Sequence, residues 1–258
     1  SADYRVERTL DGDAIRIALS TVAGISDKEI SSIVLGQPYI DLADFYRRSG
    51  ASTPVIENLI LTGAFDSIHA NQRDLLLHFT DLQKSPVAHL PGSQMTFGFA
   101  PPALESSGLA PMNSAEKVRS EIEKLGMDVT QHMLSFYSEF LNAIGAVKSS
   151  DLLTLRSESS VLVAGVKVAL QTPPVRSGRR VIFLTLDDGY GCSDSTFFPD
   201  AQVDHASTLY STSLLLVRGQ TRRTGERGIS IRATAVWDLR LAYEKWRAQT
   251  GQTDSVAI

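Results

Sequence analysis

Six arginines fall in two short stretches, Arg176, Arg179 and Arg180 in TPPVRSGRR and Arg222, Arg223 and Arg227 in QTRRTGER. Guanidinium groups at this density suit paired hydrogen bonds to phosphate oxygens. The chain as a whole carries a formal charge of −4 and a pI near 5.7, so phosphate contact must be local rather than a bulk attraction. Between the two stretches, Phe183 in RVIFLTL is a candidate platform for stacking a base. A third candidate is VAGISDKEI, where Gly24 allows a tight turn and Ser26 and Lys28 open a helix. Backbone N–H groups at such a turn can face a phosphate, with Lys28 beside them.

Catalytic chemistry is poorly supplied. His69, His78, His89, His132 and His205 are dispersed without metal-ligand spacing. No serine has a GxSxG setting, and no glycine pattern forms a Walker loop. Asp187 and Asp188 are adjacent in a strand-like run, where neighbours point to opposite faces, so they read as a strand end and turn rather than a two-metal pair. The single cysteine, Cys192, excludes an internal disulfide, fits a reducing compartment and is expected to be a small buried hydrophobe. With 43% hydrophobic residues, no apolar run of about 18 residues and no leader pattern, the chain is expected to be soluble and cytoplasmic. It starts at Ser1 without methionine, which suggests a C-terminal piece of something larger.

The elements that position these residues follow from periodicity. From Ile15 to about Lys84, apolar residues recur at helical spacing: Ile15, Leu19 and Val22; Ile30, Ile33 and Val34; Leu42, Phe45 and Tyr46; Ile56, Leu59 and Ile60. VAGISDKEI reads as a helix-hairpin-helix, and residues 41–68 as its degenerate second copy, with Thr53 capping a helix that starts at Pro54. Residues 85–113 are rich in Pro, Gly and Ser and read as a linker. A connector, 114–155, follows: one helix capped by Ser114 and stopped by Gly126, then a second from about Gln131 to Ile144.

From Val161 the period changes. VLVAGVKVALQTPP, RRVIFLTLDDGYGCSDSTFFPD and LLLVRGQTRRTGERGISIRATAVWDL give strand runs, a polar segment expected to be helical and a final strand pair. That order predicts a five-stranded Greek-key barrel of the OB type over 156–239, a fold that binds single-stranded nucleic acid or oligosaccharide. The arginine stretches would form two lips of its binding face. Alternation places Ile182, Leu184 and Leu186 inward and Phe183 outward, and puts one of Phe197 and Phe198 on each side. The expected class is α+β and multidomain: a helical tandem helix-hairpin-helix domain (1–84), the linker, the connector, the barrel and a C-terminal helix or tail (240–258).

IRIALSTVAGIS, IDLADFYRR, IENLILTGAFDSI and NQRDLL, in that order, resemble the tandem helix-hairpin-helix region of C-family (DnaE-type) bacterial DNA polymerases. EKVRSEIEKLGMDVTQHMLSFY resembles their connector, and VLVAGVKVALQTPPVRSGRRVIFLTLDDGYGCSDSTFFPDAQ their OB domain. The wording TPPVRSGRRVIFLTLDD and RGQTRRTGERGISIRA is closest to the error-prone translesion branch, the ImuC polymerases. The resemblance implies a palm domain elsewhere that holds magnesium, and no cofactor or catalysis in this region. It implies primer-template DNA and ImuB-like and ImuA-like accessory proteins as partners. Gln94, Phe97 and Phe99 in GSQMTFGF echo the sliding-clamp peptide of such polymerases in degenerate form, so clamp contact is expected to be indirect. Two functions compete: a non-catalytic DNA-binding region with a strand-binding barrel and a duplex-contacting hairpin, or a protein-interaction platform, in the translesion or the replicative α-subunit setting.

Overall fold

Helical spacing gives way to strand alternation in the C-terminal half, and a computed structural model divides the chain into two units, Ser1–Gln131 and His132–Ala257. It describes residues 1–9, 12–85, 103–173, 180–223, 225 and 228–251. The first unit opens with an antiparallel hairpin, β1 (Arg5–Thr9) and β2 (Gly12–Arg16), in which Val6 faces Ile15. Ile15 is therefore not on a helix with Leu19 and Val22, as the spacing suggested, and it is 70% exposed. Gly12, the first residue of β2 and the partner of Thr9, takes a φ of 121°, a value that suits glycine. Helical order begins only with the short 3-10 turn Leu19–Thr21.

Five helices follow among the described residues of this unit: α1 (Asp27–Leu35), α2 (Leu42–Arg48), α3 (Thr53–Leu61), α4 (Gln72–Lys84) and α5 (Ser114–Leu125). Their apolar faces meet in one core that includes Ile33, Phe45, Ile56, Ile60, Leu75, Phe79 and Leu125. Two helices start one residue away from the expected cap. Ser52, not Thr53, precedes α3 and puts Pro54 in the first turn. Asn113, not Ser114, caps α5, because Asn113 and Glu116 exchange hydrogen bonds as a capping box. The part of the linker that is described is tied to α4: Asp74 accepts from the N–H and hydroxyl of Ser107, and Asn71 donates to the Leu109 carbonyl. The Ser107 hydroxyl, with His69 next, holds the Asp74 carboxyl at about 2.

In the second unit, a 3-10 turn (Met133–Tyr137) runs into α6 (Ser138–Ala143), where one continuous helix was expected. The stretch 114–155 thus spans the division between the units. The strands are β3 (Ser160–Gln171), β4 (Ile182–Asp187) and β5 (Cys192–Phe197), then α7 (Pro199–Gln202) and α8 (Ala206–Ser211), then β6 (Leu214–Arg223) and β7 (Ile229–Asp238). They close as β3-β4-β5-β7-β6, with β5 and β7 parallel and the other pairs antiparallel. This is a five-strand mixed barrel of the OB fold. Closure leaves no open sheet edge. Val163, Leu184, Leu186, Phe197, Val217 and Ile231 fill the interior, with Leu209 of α8 completely buried among them.

A second apolar layer lies outside the barrel. Ala164, Leu214 and Leu216 pack against Leu134, Tyr137, Phe140 and Leu239 at the start of α9 (Leu239–Thr250). Tyr243 and Trp246 of α9 extend that layer through ring contacts with Tyr137 and Phe140. Part of the outer surface of β3 and β6 is therefore occupied by helices, which directs attention to the remaining outer faces.

Candidate nucleic-acid interface

On β4 the alternation holds: Ile182, Leu184 and Leu186 are 3%, 1% and 0% exposed, whereas Phe183 is 43% exposed. The register sets Phe183 between Gln171 of β3 and Thr196 of β5, and Thr196 beside Arg232 of β7. One outward row thus crosses four strands. Phe197 faces inward, completely buried. Phe198 is half-buried, with the Arg232 guanidinium 5.3 Å from its ring centre. An exposed ring beside a polar hydroxyl and a guanidinium can stack a base and hold its phosphate.

The two arginine lips are only partly described. Arg176, Arg179 and Arg227 lie outside the described residues, as do Gln94, Phe97 and Phe99. Arg180 is exposed, and its carbonyl accepts from Gln202 2.8 Å away. Arg222 is exposed, since its neighbour Thr221 is buried and accepts from the Ser159 N–H while donating to the Arg156 carbonyl. Arg223 behaves differently. Its guanidinium folds back onto the carbonyls of Leu155, 3.3 Å away, and Leu153, so it braces the chain entering the barrel.

The hairpin candidates also have a definite geometry. Gly24 has a φ of 79°, a left-handed conformation that suits glycine, and Ser26 and Lys28 are exposed. Ser26 caps α1 in a capping box with Glu29, whose carboxylate accepts from the N–H and hydroxyl of Ser26. Its other oxygen accepts from the Ser52 N–H, 2.9 Å away, just ahead of α3. Glu29 therefore sits at the starts of both hairpin helices. The Ser26 hydroxyl and then the Ser52 N–H hold its carboxyl at about 2. The turn is anchored further by Ala23, which donates to Lys124 and accepts from Asn58. Two of the donors that could meet a phosphate are already engaged by an internal anion.

Three outward residues were not singled out from the sequence: Arg218, Arg232 and Trp237. On β6, Arg218, Gln220 and Arg222 alternate with buried Val217, Gly219 and Thr221, a pattern legible in VRGQTRR. Trp237 was not legible by alternation. The register of β6 and β7 shifts between Arg218 and Gly219, leaving Thr234 as an extra residue. That bulge flips the parity of the end of β7, so Trp237 faces outward like Arg232, and Arg218 lies 5.2 Å over its ring.

Cys192 corrects an expectation: it is exposed. Ser193 and Ser195 take the inward positions of β5, so the strand's parity puts the thiol outside, opposite Asp187. Partial burial, and then the Asp187 carboxylate, push its pKa up, away from a reactive thiolate. Asp187 accepts from the Gly189 N–H and Asp188 from the Tyr190 N–H, so both serve the turn, and Asp188 also accepts from the N–H and hydroxyl of Ser149.

The chain thus consists of a tandem-hairpin unit and an OB barrel. Residues 1–75 match the family model described as a helix-hairpin-helix motif, and residues 161–239 the one described as an OB-fold nucleic acid binding domain. The error-prone DNA polymerase of Bdellovibrio bacteriovorus is 29% identical over 238 residues, covering 86% of this chain and 22% of that protein. The error-prone DNA polymerase of Symbiobacterium thermophilum is 30% identical over 230 residues, 81% of this chain and 21% of that protein. The DNA polymerase III subunit alpha of Vibrio cholerae is 27% identical over 253 residues, 92% of this chain and 22% of that protein. These matches support a C-terminal region of the DnaE type, and the paired domains in relatives of both kinds support a DNA-binding region. The chain spans between 21% and 22% of the length of these curated relatives.

Proposed function

We propose that this chain is a non-catalytic DNA-binding and partner-docking region of an error-prone translesion DNA polymerase, whose barrel holds single-stranded template. The observation that carries this reading is the outward row of Phe183, Thr196 and Arg232, with Arg180 and Arg222 exposed. The aromatic face serves any base, and the cations track the backbone without reading sequence. Polymerisation is assigned to magnesium-holding carboxylates elsewhere in the whole protein. Accessory proteins of the ImuA and ImuB kind are the proposed partners.

The test is fluorescence anisotropy with labelled oligonucleotides across a salt series. Phe183→Ala should weaken single-strand binding by about 1–3 kcal/mol with little change in salt slope. Joint removal of Arg180 and Arg222 should lower the slope of log affinity against log salt by roughly 0.7 per lost contact. A folded chain in which all three changes leave affinity and slope intact would sink the strand-binding function.

A second reading concerns the first unit alone. Glu29 engages donors at both hairpin helices, while Leu35 and Ile40 are each 85% exposed, which favours protein docking over duplex binding there.

A further inference from the structure

The outer face of the β6–β7 hairpin carries a pattern that the barrel's interior packing does not use. Arg218 and Arg222 lie on the same side of β6, with Gln220 between them and Arg232 directly across from Gln220. Outward residues two apart on a strand recur about every 7 Å, so the two β6 arginines stand about 14 Å apart along it, with Arg232 midway and to one side. Among the described residues no carboxylate pairs with Arg218 or Arg222, and Arg232 meets only the exposed Asp200, at 3.9 Å. Both Arg218 and Arg232 lie over aromatic rings, Trp237 and Phe198.

The stripe has an end as well as a direction. Trp237 is 38% exposed. It lines a groove of about 580 Å³ together with Arg218, Lys245, Asp238 and apolar residues that include Leu216 and Leu241. The bulge at Thr234 is what brings Trp237 to this side, and Thr234 is itself fixed by donating its hydroxyl to the Arg218 carbonyl. Cations spaced along a strand, polar residues between them and a half-exposed indole at the end match a charged backbone that carries flat bases. They match an apolar peptide less well, because the stretch from Arg222 to Arg218 presents no outward aliphatic anchor on β6.

We propose that this face is a second segment of the single-strand path: DNA leaving the Phe183 row follows Arg232, Arg222 and Arg218, and ends with a base stacked on Trp237. The proposal rests on the barrel binding single strands at all, and it extends that site around the barrel rather than redefining it. Its consequence is a length dependence. A short oligonucleotide fills the Phe183 row alone, and a longer one also engages the stripe.

The experiment measures anisotropy on the full 258-residue chain with oligothymidylates of about 5 and about 16 nucleotides, the span of OB footprints. Trp237→Ala should weaken the long oligonucleotide about 5- to 140-fold, the effect of one lost stack, and leave the short one within about twofold. Arg218→Ala should lower the salt slope for the long oligonucleotide only. Phe183→Ala, which reports on the barrel row, should weaken both lengths. Because Trp237→Ala could disturb the hairpin, a second measurement uses Trp246→Phe, leaving Trp237 as the only indole, whose emission the long oligonucleotide should quench. Equal binding of both lengths by the Arg218 and Trp237 variants, with no quenching, overturns the stripe while the Phe183 effect stands. A chain that binds neither length overturns both. Quenching by an acidic peptide and not by DNA marks a protein-docking face and also overturns the stripe.

Discussion

The inward-reaching carboxylates of the first unit contrast with the outer face of the barrel, although Asp188 and Arg223 of the second unit also work inward. In the hairpin unit, carboxylates reach back into the fold: Glu29 engages donors at two helix starts, Asp74 ties down the described end of the linker, and nearly buried Glu121 accepts from the Val129 and Thr130 N–H groups. On the barrel's outer face, Arg218 and Arg222 are left without a carboxylate among the described residues. A charge that satisfies the fold is spent on stability. A charge left unsatisfied on a rigid strand keeps its attraction for a ligand. By that measure the barrel is the better candidate for a DNA-binding surface, although both units match family models, a helix-hairpin-helix motif and an OB-fold nucleic acid binding domain.

The strongest way to break this comparison is to remove an inward-working carboxylate. Glu121→Leu strips the acceptor from the Val129 and Thr130 N–H groups and the Thr130 hydroxyl. These bonds are part-buried, and leaving their donors unpaired costs about 1–3 kcal/mol where water does not replace the acceptor. Urea denaturation should show that loss, with single-strand affinity unchanged for the folded protein. A loss below about 0.5 kcal/mol would mean that water replaces the carboxylate and that the inward charges matter less than their geometry suggests.

Glu29 gives a smaller effect with two readouts. Glu29→Ala removes half of a capping box, and losing a cap typically costs about 1 kcal/mol. Its folded pKa of about 2 lies below the ordinary value of 4.5. The stabilisation is thus fully present above pH 4.5 and is lost as pH falls towards 2. The alanine variant should lack that part of the acid limb. It should also bind duplex more tightly than the unaltered chain, since the Ser26 and Ser52 N–H groups become free. If duplex affinity is unchanged or falls, the carboxylate does not stand in a phosphate's place.

Much of the barrel was legible because its strands alternate cleanly where the pairing is regular. Ile182, Leu184 and Leu186 inward with Phe183 outward needed only period two. The parity of β7 was not legible, because the bulge at Thr234 depends on how β6 pairs with it, which no local pattern encodes. Cys192 was misplaced for a related reason: apolar character suggested burial, but the register left it opposite Asp187 and gave the inward places to serines. In the hairpin unit, helix identity was readable from Asp27 onward but not before it, where Ile15 lies on a strand, and the starts of two helices were misread because neighbouring Ser, Thr and Asn residues compete for the cap. The role of Glu29 was out of reach, because its third contact comes from Ser52, 23 residues away.

The finest discrimination lies between two adjacent arginines. Arg222 and Arg223 are indistinguishable by type and sit in the same lip, yet strand parity sends them to different work. Arg222 points outward opposite Ser230, whereas Arg223 bends onto the carbonyls of Leu153 and Leu155. Arg222→Ala should therefore change stability by no more than about 0.5 kcal/mol, as surface substitutions do. It should lower the single-strand salt slope by roughly 0.7. Arg223→Ala should do the reverse, costing about 1 kcal/mol through its lost hydrogen bonds to the carbonyls and barely moving the slope. Denaturation and a salt titration on the two single variants decide it. Equal slopes for both would mean that the lip acts as a diffuse positive patch, and the contrast between inward-working and outward-facing charge would not extend to the level of single residues.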